Sequence, residues 1–371
     1  MRLILFLCIA VHACYIGSKV VLSLLALKLG AGPATIGLLA ALYGIAPLLL
    51  GVHSGRLSDT AGTRLPMLIG ATLVAAAMLI GFFFESIVSL AIVATLLGMG
   101  FVYYNVAVQN YTAWIGPPEH RSRNFSWLSM AYSVSAFIGP VFAGFMIDHF
   151  GHGIAFLGFA AFAAAALIVL GVNRTFGALA APPAANASRS MTELLRNPPL
   201  RRVVIMSGLM VSAWELYLFY MPLHGISIGL SASSIGIVLG VYAVAAFVVR
   251  FLLPWMLKRV TSVQLLTAAM LIGAATFLAL PWLKLLWLLI LASFTIGLLL
   301  GLCQPLMMML SFERSPAGRT GEVTGLRLTA NNIARIVVPV ISGAMGAAGG
   351  AAPVFWMNAI NLAAISWLAR R

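Results

Sequence analysis

Charge is what this sequence has least of. Only 8% of its 371 residues are Asp, Glu, Lys or Arg, and just eight of those are acidic. A water-soluble domain carries roughly 25% charged residues, so a globule with a water-facing surface is excluded. Cysteine is scarce as well. Cys8, Cys14 and Cys303 are odd in number and lie in apolar runs, so they read as small buried hydrophobes and not as a disulfide framework. No phosphate-cradling loop, nucleotide-binding motif or nucleophile arrangement is present, so neither an enzyme nor an ATP-driven pump has support, and no cofactor or metal is expected.

What the sequence has is apolar length. The hydrophobic fraction is 62% and the mean hydropathy +1.05, which makes lipid the solvent. About 20 apolar residues cross the hydrocarbon as a helix. Such runs fall near 3–27, 34–55, 66–84, 87–112, 125–147 and 153–173, then near 203–223, 233–256, 263–281, 284–307, 325–346 and 351–369. The expected fold is an all-α membrane protein of twelve transmembrane helices, arranged as two pseudo-symmetric six-helix bundles. The bundles are 1–173 and 203–371, and the polar stretch 174–202 is a linker. The first run is too long for a signal peptide and reads as a membrane helix.

The basic residues orient the chain. With the N-terminus in the cytoplasm, seventeen of the 22 Lys and Arg fall inside, Arg327 among them, and only Lys28 and Lys284 outside. Lys19, Arg250 and Arg335 lie within spans, and Arg250 can reach the interface as an anchor. Basic loops resist translocation, so both termini are expected in the cytoplasm of a bacterial-type inner (plasma) membrane. The net charge of +14 is then a matter of topology and implies no nucleic-acid partner. Asn186-Ala187-Ser188 becomes a sequon on the wrong side.

The halves are related by a constant offset of 199. It places Tyr43 on Tyr242, Gly98 on Gly297, Pro140 on Pro339 and Gly144 on Gly343. A parallel repeat of six helices is an architecture of alternating access.

One charged stretch interrupts the apolar pattern. Gly55, Asp59, Gly62 and Arg64, between the second and third spans, resemble the G-x-x-x-D-x-x-G-x-R signature of the major facilitator superfamily. Twelve spans and the repeat extend that resemblance over the whole chain. It implies that Gly55 lets the second helix pack closely and that Gly62 permits the tight turn. It also implies that Asp59 accepts hydrogen bonds at the start of the eleventh helix, forming a cytoplasmic gate. Thr60 stands where the family usually has a basic residue. Gly139, Pro140 and Gly144 resemble the G-P-x-x-x-G core found in the superfamily's antiporters, which favours export and predicts a bent, tightly packed interface. Ala94 stands where those antiporters carry an arginine.

Ionisable side chains in a bilayer are functional candidates by default. Glu215, deep in the seventh span, is a candidate for proton coupling, because burial disfavours its charged form; the other reading is a structural or substrate-pairing partner of a buried cation. Arg335 needs an anion, and Asn331 stands one turn before it. In the first span His12, Tyr15 and Lys19 form one stripe, with Lys19 either lining a cavity or snorkelling outward. Asn105, Gln109, Trp214 and Tyr217 complete the candidate substrate contacts, on helices that line the superfamily's central cavity. His149 and His152 make at most a weak metal site, and Met206 and Met210 read as packing. The function expected is secondary transport of a small organic solute, proton-coupled, with export favoured and import of an organic anion as the alternative. Copper(I) import and a non-transporting receptor stand further off. The partners expected are the solute, protons and the bilayer, and the protein is expected to be a monomer.

Overall fold

The computed structural model of the chain describes residues 1–117, 120–173, 196–315 and 320–370, which form helices and short turns with no strand among them. In order these are α1 (Arg2–Lys28), α2 (Pro33–Ala61), α3 (Arg64–Phe83) and α4 (Ile87–Trp114). The next helical stretch, Arg121–Val172, passes through Gly151 at φ 87° and ψ 171°, outside the helical region. Unbroken, its 52 residues would reach about 78 Å, more than twice the hydrocarbon thickness. Phe142 instead meets Phe159 at 5.0 Å, so the chain doubles back at Gly151. We label 121–150 α5 and 152–172 α6. After them come α7 (Pro198–Ser227), α8 (Ala232–Met256), α9 (Ser262–Ala279), α10 (Leu286–Glu313), α11 (Thr320–Gly349) and α12 (Ala351–Arg370). Among the described residues eleven segments are long and apolar enough to cross a membrane, and the 50-residue one, Arg123–Val172, holds two, giving the twelve spans read from sequence.

Local chemistry explains the helix ends. Ser86 with Ser89 and Thr261 with Gln264 form capping boxes that open α4 and α9. Every residue with positive φ is a glycine among the described residues. Two pairs of them obey the repeat: Gly30 and Gly229 (φ 80° and 82°), and Gly151 and Gly350 (φ 87° and 71°). A side chain would be strained at these turns, so both halves keep glycine there.

By contacts the chain divides into two compact units. Unit 1 holds Met1–Gly32, Leu42–Pro183 and Gly225–Gly240, and unit 2 holds Pro33–Ala41, Ala184–His224 and Val241–Arg371. Each unit thus takes in a short segment from the other half of the sequence. The proposed linker falls mostly in 174–195, outside the described residues, and α7 begins a few residues before its expected start.

In unit 1, α1 packs on α5 and α4, and α3 packs on α4. Small residues permit the approach: a Cβ added at Gly139 would lie 2.8 Å from the Ala13 carbonyl oxygen, and one at Gly70 2.5 Å from that of Gly100. In unit 2, α9 packs on α12 and α10. The offset recurs in contacts. Gly98 lies under the backbone of Tyr43, and Gly297 lies under that of Tyr242. The outward surfaces carry large apolar side chains such as Leu49, Val88 and Ile360, each about two-thirds exposed or more, as expected of a lipid-facing exterior.

Candidate functional site

Polar and charged side chains gather inside each unit. In unit 1 the cluster is built on α1. Tyr15 stacks on Phe101 of α4 at 3.9 Å, with the rings 13° from parallel. Lys19, one turn further, is only 1% exposed, and its Nζ stands 4.6 Å from the Tyr15 ring and 5.5 Å from that of Tyr43. The snorkelling alternative is thereby corrected: the ammonium is held among aromatic faces, which attract a cation when it is desolvated. His12 meets Tyr132 edge-on at 4.9 Å and bonds Ser135 through Nδ1. Ser135 Oγ also lies 2.9 Å from the Tyr132 carbonyl oxygen, which ties this turn of α5 to the histidine. Asn105 accepts from the Tyr132 hydroxyl, and Gln109 lies beside the same hydroxyl.

In unit 2 the cluster joins α7 and α11. Glu215 is 7% exposed, and its Oε1 lies 3.2 Å from Nε of Arg335. That N–H is not aimed along the contact, so this is an ion pair without hydrogen-bond geometry. Ser207 donates to Asn331 at 2.8 Å one turn lower. Pro339 lies four residues after Arg335 and has no N–H, so the Arg335 carbonyl lacks its helical donor and the helix is loosened at the ion pair. Tyr217 turns away from the pair and donates to Ser293 at 2.8 Å. Trp214 meets Tyr242 edge-on at 5.6 Å.

The clusters share a frame. Tyr15 with Tyr43 and Trp214 with Tyr242 are offset by 199, and both pairs meet edge-on, at 5.5 and 5.6 Å. The charges do not share it. Leu218 replaces Lys19, Ile16 replaces Glu215 and Ala136 replaces Arg335.

The gate residues are distributed differently. Gly62, at φ 76°, ends α2 as a turn glycine. Arg64 donates from Nε and Nη2 to the Leu170 carbonyl at 3.1 and 2.9 Å, and from Nη2 to Gly171 at 3.0 Å. It thereby covers orphan carbonyls at the C-terminus of α6, where a cation is favoured. The close approach expected at Gly55 is not seen among the described residues, where an added Cβ would meet nothing within 4 Å. The side chain of Asp59 and the residues 316–319 before α11 lie outside the described residues. Gly139 packs against α1, while Pro140 and Gly144 pack against Gly236 and Ala232 of α8. Arg250 donates to Gln304 of α10 at 3.4 Å instead of serving only as an interfacial anchor.

Three features escaped the sequence reading. Phe101, Tyr132 and Tyr43 enclose the α1 stripe, but an aromatic residue in an apolar helix gives no signal of which way it faces. Arg327, counted with the cytoplasmic basic residues, is 7% exposed inside α11. Asp148, near the turn at Gly151, accepts from the backbone N–H groups of Ala232 (3.0 Å) and Ser233 (2.7 Å) at the start of α8. Burial would push the Asp148 carboxyl up, but hydrogen bonds from Ser233, Ala232 and Ser231 outweigh it and hold the group below the usual carboxylate range. Among the described residues, no three His, Cys, Asp or Glu side chains converge as a metal site.

Comparison with known proteins gives this geometry a context. Among solved structures, a mutant of the nucleoside transporter NupG superposes with a TM-score of 0.82 at 14% identity, covering 100% of this chain and 98% of that one. A POT family transporter in complex with a thioalcohol-conjugated peptide gives 0.82 at 14%, covering 99% and 94%. A bacterial homologue of the human lysosomal transporter Spinster, inward-facing and unoccupied, gives 0.75 at 14%, covering 100% and 94%. At such identities these similarities establish the fold alone. No curated protein matches the sequence. The family model of the Major Facilitator Superfamily matches residues 4–339, nearly the whole chain. The chain therefore belongs to the Major Facilitator Superfamily, and it is a membrane-embedded secondary transporter of small molecules, not an enzyme.

Proposed function

We propose that this transporter moves a small organic anion together with a proton, by alternating access, in a bacterial-type inner membrane with both termini cytoplasmic. The observation that carries the reading is the ion pair of buried Glu215 with half-buried Arg335 at 3.2 Å. Removing one partner leaves the other charge without its counterion, which is costly where that charge is shielded from water. A proton arriving on Glu215 therefore leaves Arg335 in need of an anion, and a solute carboxylate or phosphate supplies it. The pair is satisfied when empty or when loaded with both ligands, and it is unsatisfied with either alone. That is the thermodynamic condition for cotransport.

Trp214 and Asn331 flank this cluster on α7 and α11, with Tyr217 turned toward Ser293, while Tyr15 and Tyr43 enclose Lys19, a second buried cation suited to an anionic solute, and Asn105 and Gln109 gather at the Tyr132 hydroxyl of the same unit. Solute and proton loading together favours uptake down a proton gradient. The sequence leaned toward export because of Gly139, Pro140 and Gly144, yet their contacts with α1 and α8 are packing contacts that bear on neither direction. The protein is proposed to act as a monomer.

The test is proton movement into proteoliposomes when organic acids are added outside. The wild type is expected to take up protons with its substrate acid. Glu215→Gln should bind that acid but lose the linked proton flux and the dependence on the pH gradient. Full pH-driven uptake by Glu215→Gln would remove the proton role.

A further inference from the structure

The face of α11 that holds Asn331 and Arg335 carries one more cation. Arg327, Asn331 and Arg335 are spaced by four residues and so follow one stripe of the helix. Ile333 and Val337, exposed on the outer surface, lie roughly 200° of helical rotation from Asn331 and Arg335 respectively. The stripe is therefore turned inward. Arg327 is 7% exposed, and its Nε is sealed from solvent with no hydrogen-bond partner among the described residues. The side chain of Glu322, one turn away, lies outside that description. Beside Arg327, Val323 and Leu326 pack with Leu200 and Val204 of α7. A guanidinium is always charged, and burying it without a counterion is costly.

We infer that Arg327 is a second anion-binding station on α11, about 12 Å along the helix from Arg335 toward its N-terminus, for the same carboxylate- or phosphate-bearing solute. This rests on the reading of Arg335 as the first station. The planar fork of an arginine matches both groups bidentately, and Asn331 stands between the two stations as a neutral polar residue. A carboxylate or phosphate moving along this face exchanges one guanidinium for the next without crossing an apolar gap longer than a few turns of helix.

Inorganic phosphate serves as the probe and butanedione, a small arginine reagent, as the reporter, both on the purified full-length chain at constant ionic strength. Modification is mapped by mass spectrometry, with exposed Arg56 as the internal reference. In the wild type, phosphate is expected to slow modification of Arg327 at least threefold relative to chloride, with Arg56 unchanged. In Glu215→Gln, where Arg335 has lost its carboxylate, both Arg327 and Arg335 should be protected. Protection of Arg335 alone would overturn the second station and leave the proposed function standing. Protection of Arg327 alone would sustain an anion site there and sink the role of Arg335. Protection of neither would overturn both. An Arg327 inert to butanedione with or without phosphate would overturn the station, since an anion of similar size could not reach it. None of these readings depends on a variant of Arg327 that folds.

Discussion

The contact of α5 with α8 in unit 1 and the contact of α11 with α2 in unit 2 are the same structure written twice. In the first, a Cβ added at Gly236 would lie 2.5 Å from the Pro140 carbonyl oxygen, and Gly144 is pressed on Ala232. In the second, Gly37 is pressed on the Pro339 carbonyl, and a Cβ added at Gly343 would lie 3.1 Å from Ala34. Gly37 and Gly236, Pro140 and Pro339, and Gly144 and Gly343 are all 199 residues apart. The chemistry at their ends differs. Asp148 caps the free N–H groups of α8, while its counterpart is Ala347. The counterpart of Ala232 is Pro33, at the start of α2, which has no N–H to offer. There the Pro33 carbonyl instead accepts from the Tyr220 hydroxyl at 3.2 Å. The repeat has kept the steric fit, which any side chain would break, and has let the polar contacts diverge. The α5–α8 seam ends on a carboxylate and the α11–α2 seam on a tyrosine hydroxyl.

The steric half of the comparison carries the largest expected effect. Gly236→Leu and Gly37→Leu each force a side chain against backbone that cannot yield cheaply, an overpacking cost of about 1–3 kcal/mol. Each should expose its own seam: a cysteine at Ser234 or at Thr35, its counterpart in the repeat, should react roughly five to a hundred times faster with a membrane-impermeant thiol reagent. An unchanged rate at either position would mean that the seam is open most of the time and that the symmetry of the two is only apparent.

How much of this was legible in advance follows the same division. Spans and repeat could be read because apolar length and glycine or proline at fixed spacing survive in sequence. Glu215, Arg335 and Lys19 could be singled out because charge in a bilayer is rare. Arg327 could not, because it lies at the edge of a hydrophobic run and looks like one more residue of the positive-inside pattern. Asp148 could not either. It reads as a loop residue, and nothing in the chain near it names α8, 84 residues on, as its partner. The Tyr15–Phe101 stack joins α1 to α4 across a similar distance, and any of the 21 phenylalanines could have filled that place equally well on paper.

The electrostatic half of the comparison is smaller. A carboxylate at an exposed helix N-terminus contributes about 0.3–1 kcal/mol, so Asp148→Asn should speed labelling at Ser234 roughly two- to fivefold and leave Thr35 unchanged. The pH dependence follows from the lowered pKa of Asp148. A depressed carboxyl stabilises its contact fully above the ordinary carboxylate range and loses it as pH falls through the lowered value. Acidification should therefore reproduce the Asn variant at the α5–α8 seam only. His149 is the nearest other titratable group, and its ring stacks on Phe145 at 4.0 Å within its own helix. A pH effect that persists in Asp148→Asn would move the assignment to that histidine.

The smallest expected effect comes from trying to make the seams alike. Ala347→Asp puts a carboxylate where the repeat would have it, but of the two amides that Asp148 uses only the counterpart of Ser233, on Ala34, is present and Pro33 has none, so labelling at a cysteine in place of Thr35 should slow less than twofold. Pro33→Ala restores the missing N–H and, by itself, leaves it without a cap. Only the double variant can make both amide contacts, and it should slow labelling by about the two- to fivefold that Asp148→Asn costs the other seam. The non-additivity is the diagnostic, since two substitutions that act through one hydrogen bond cannot act independently. If Ala347→Asp alone slowed labelling as much as the double variant, the carboxylate would be working through the general field of the helix end. The absence of an N–H at Pro33 would then not be what separates the two seams.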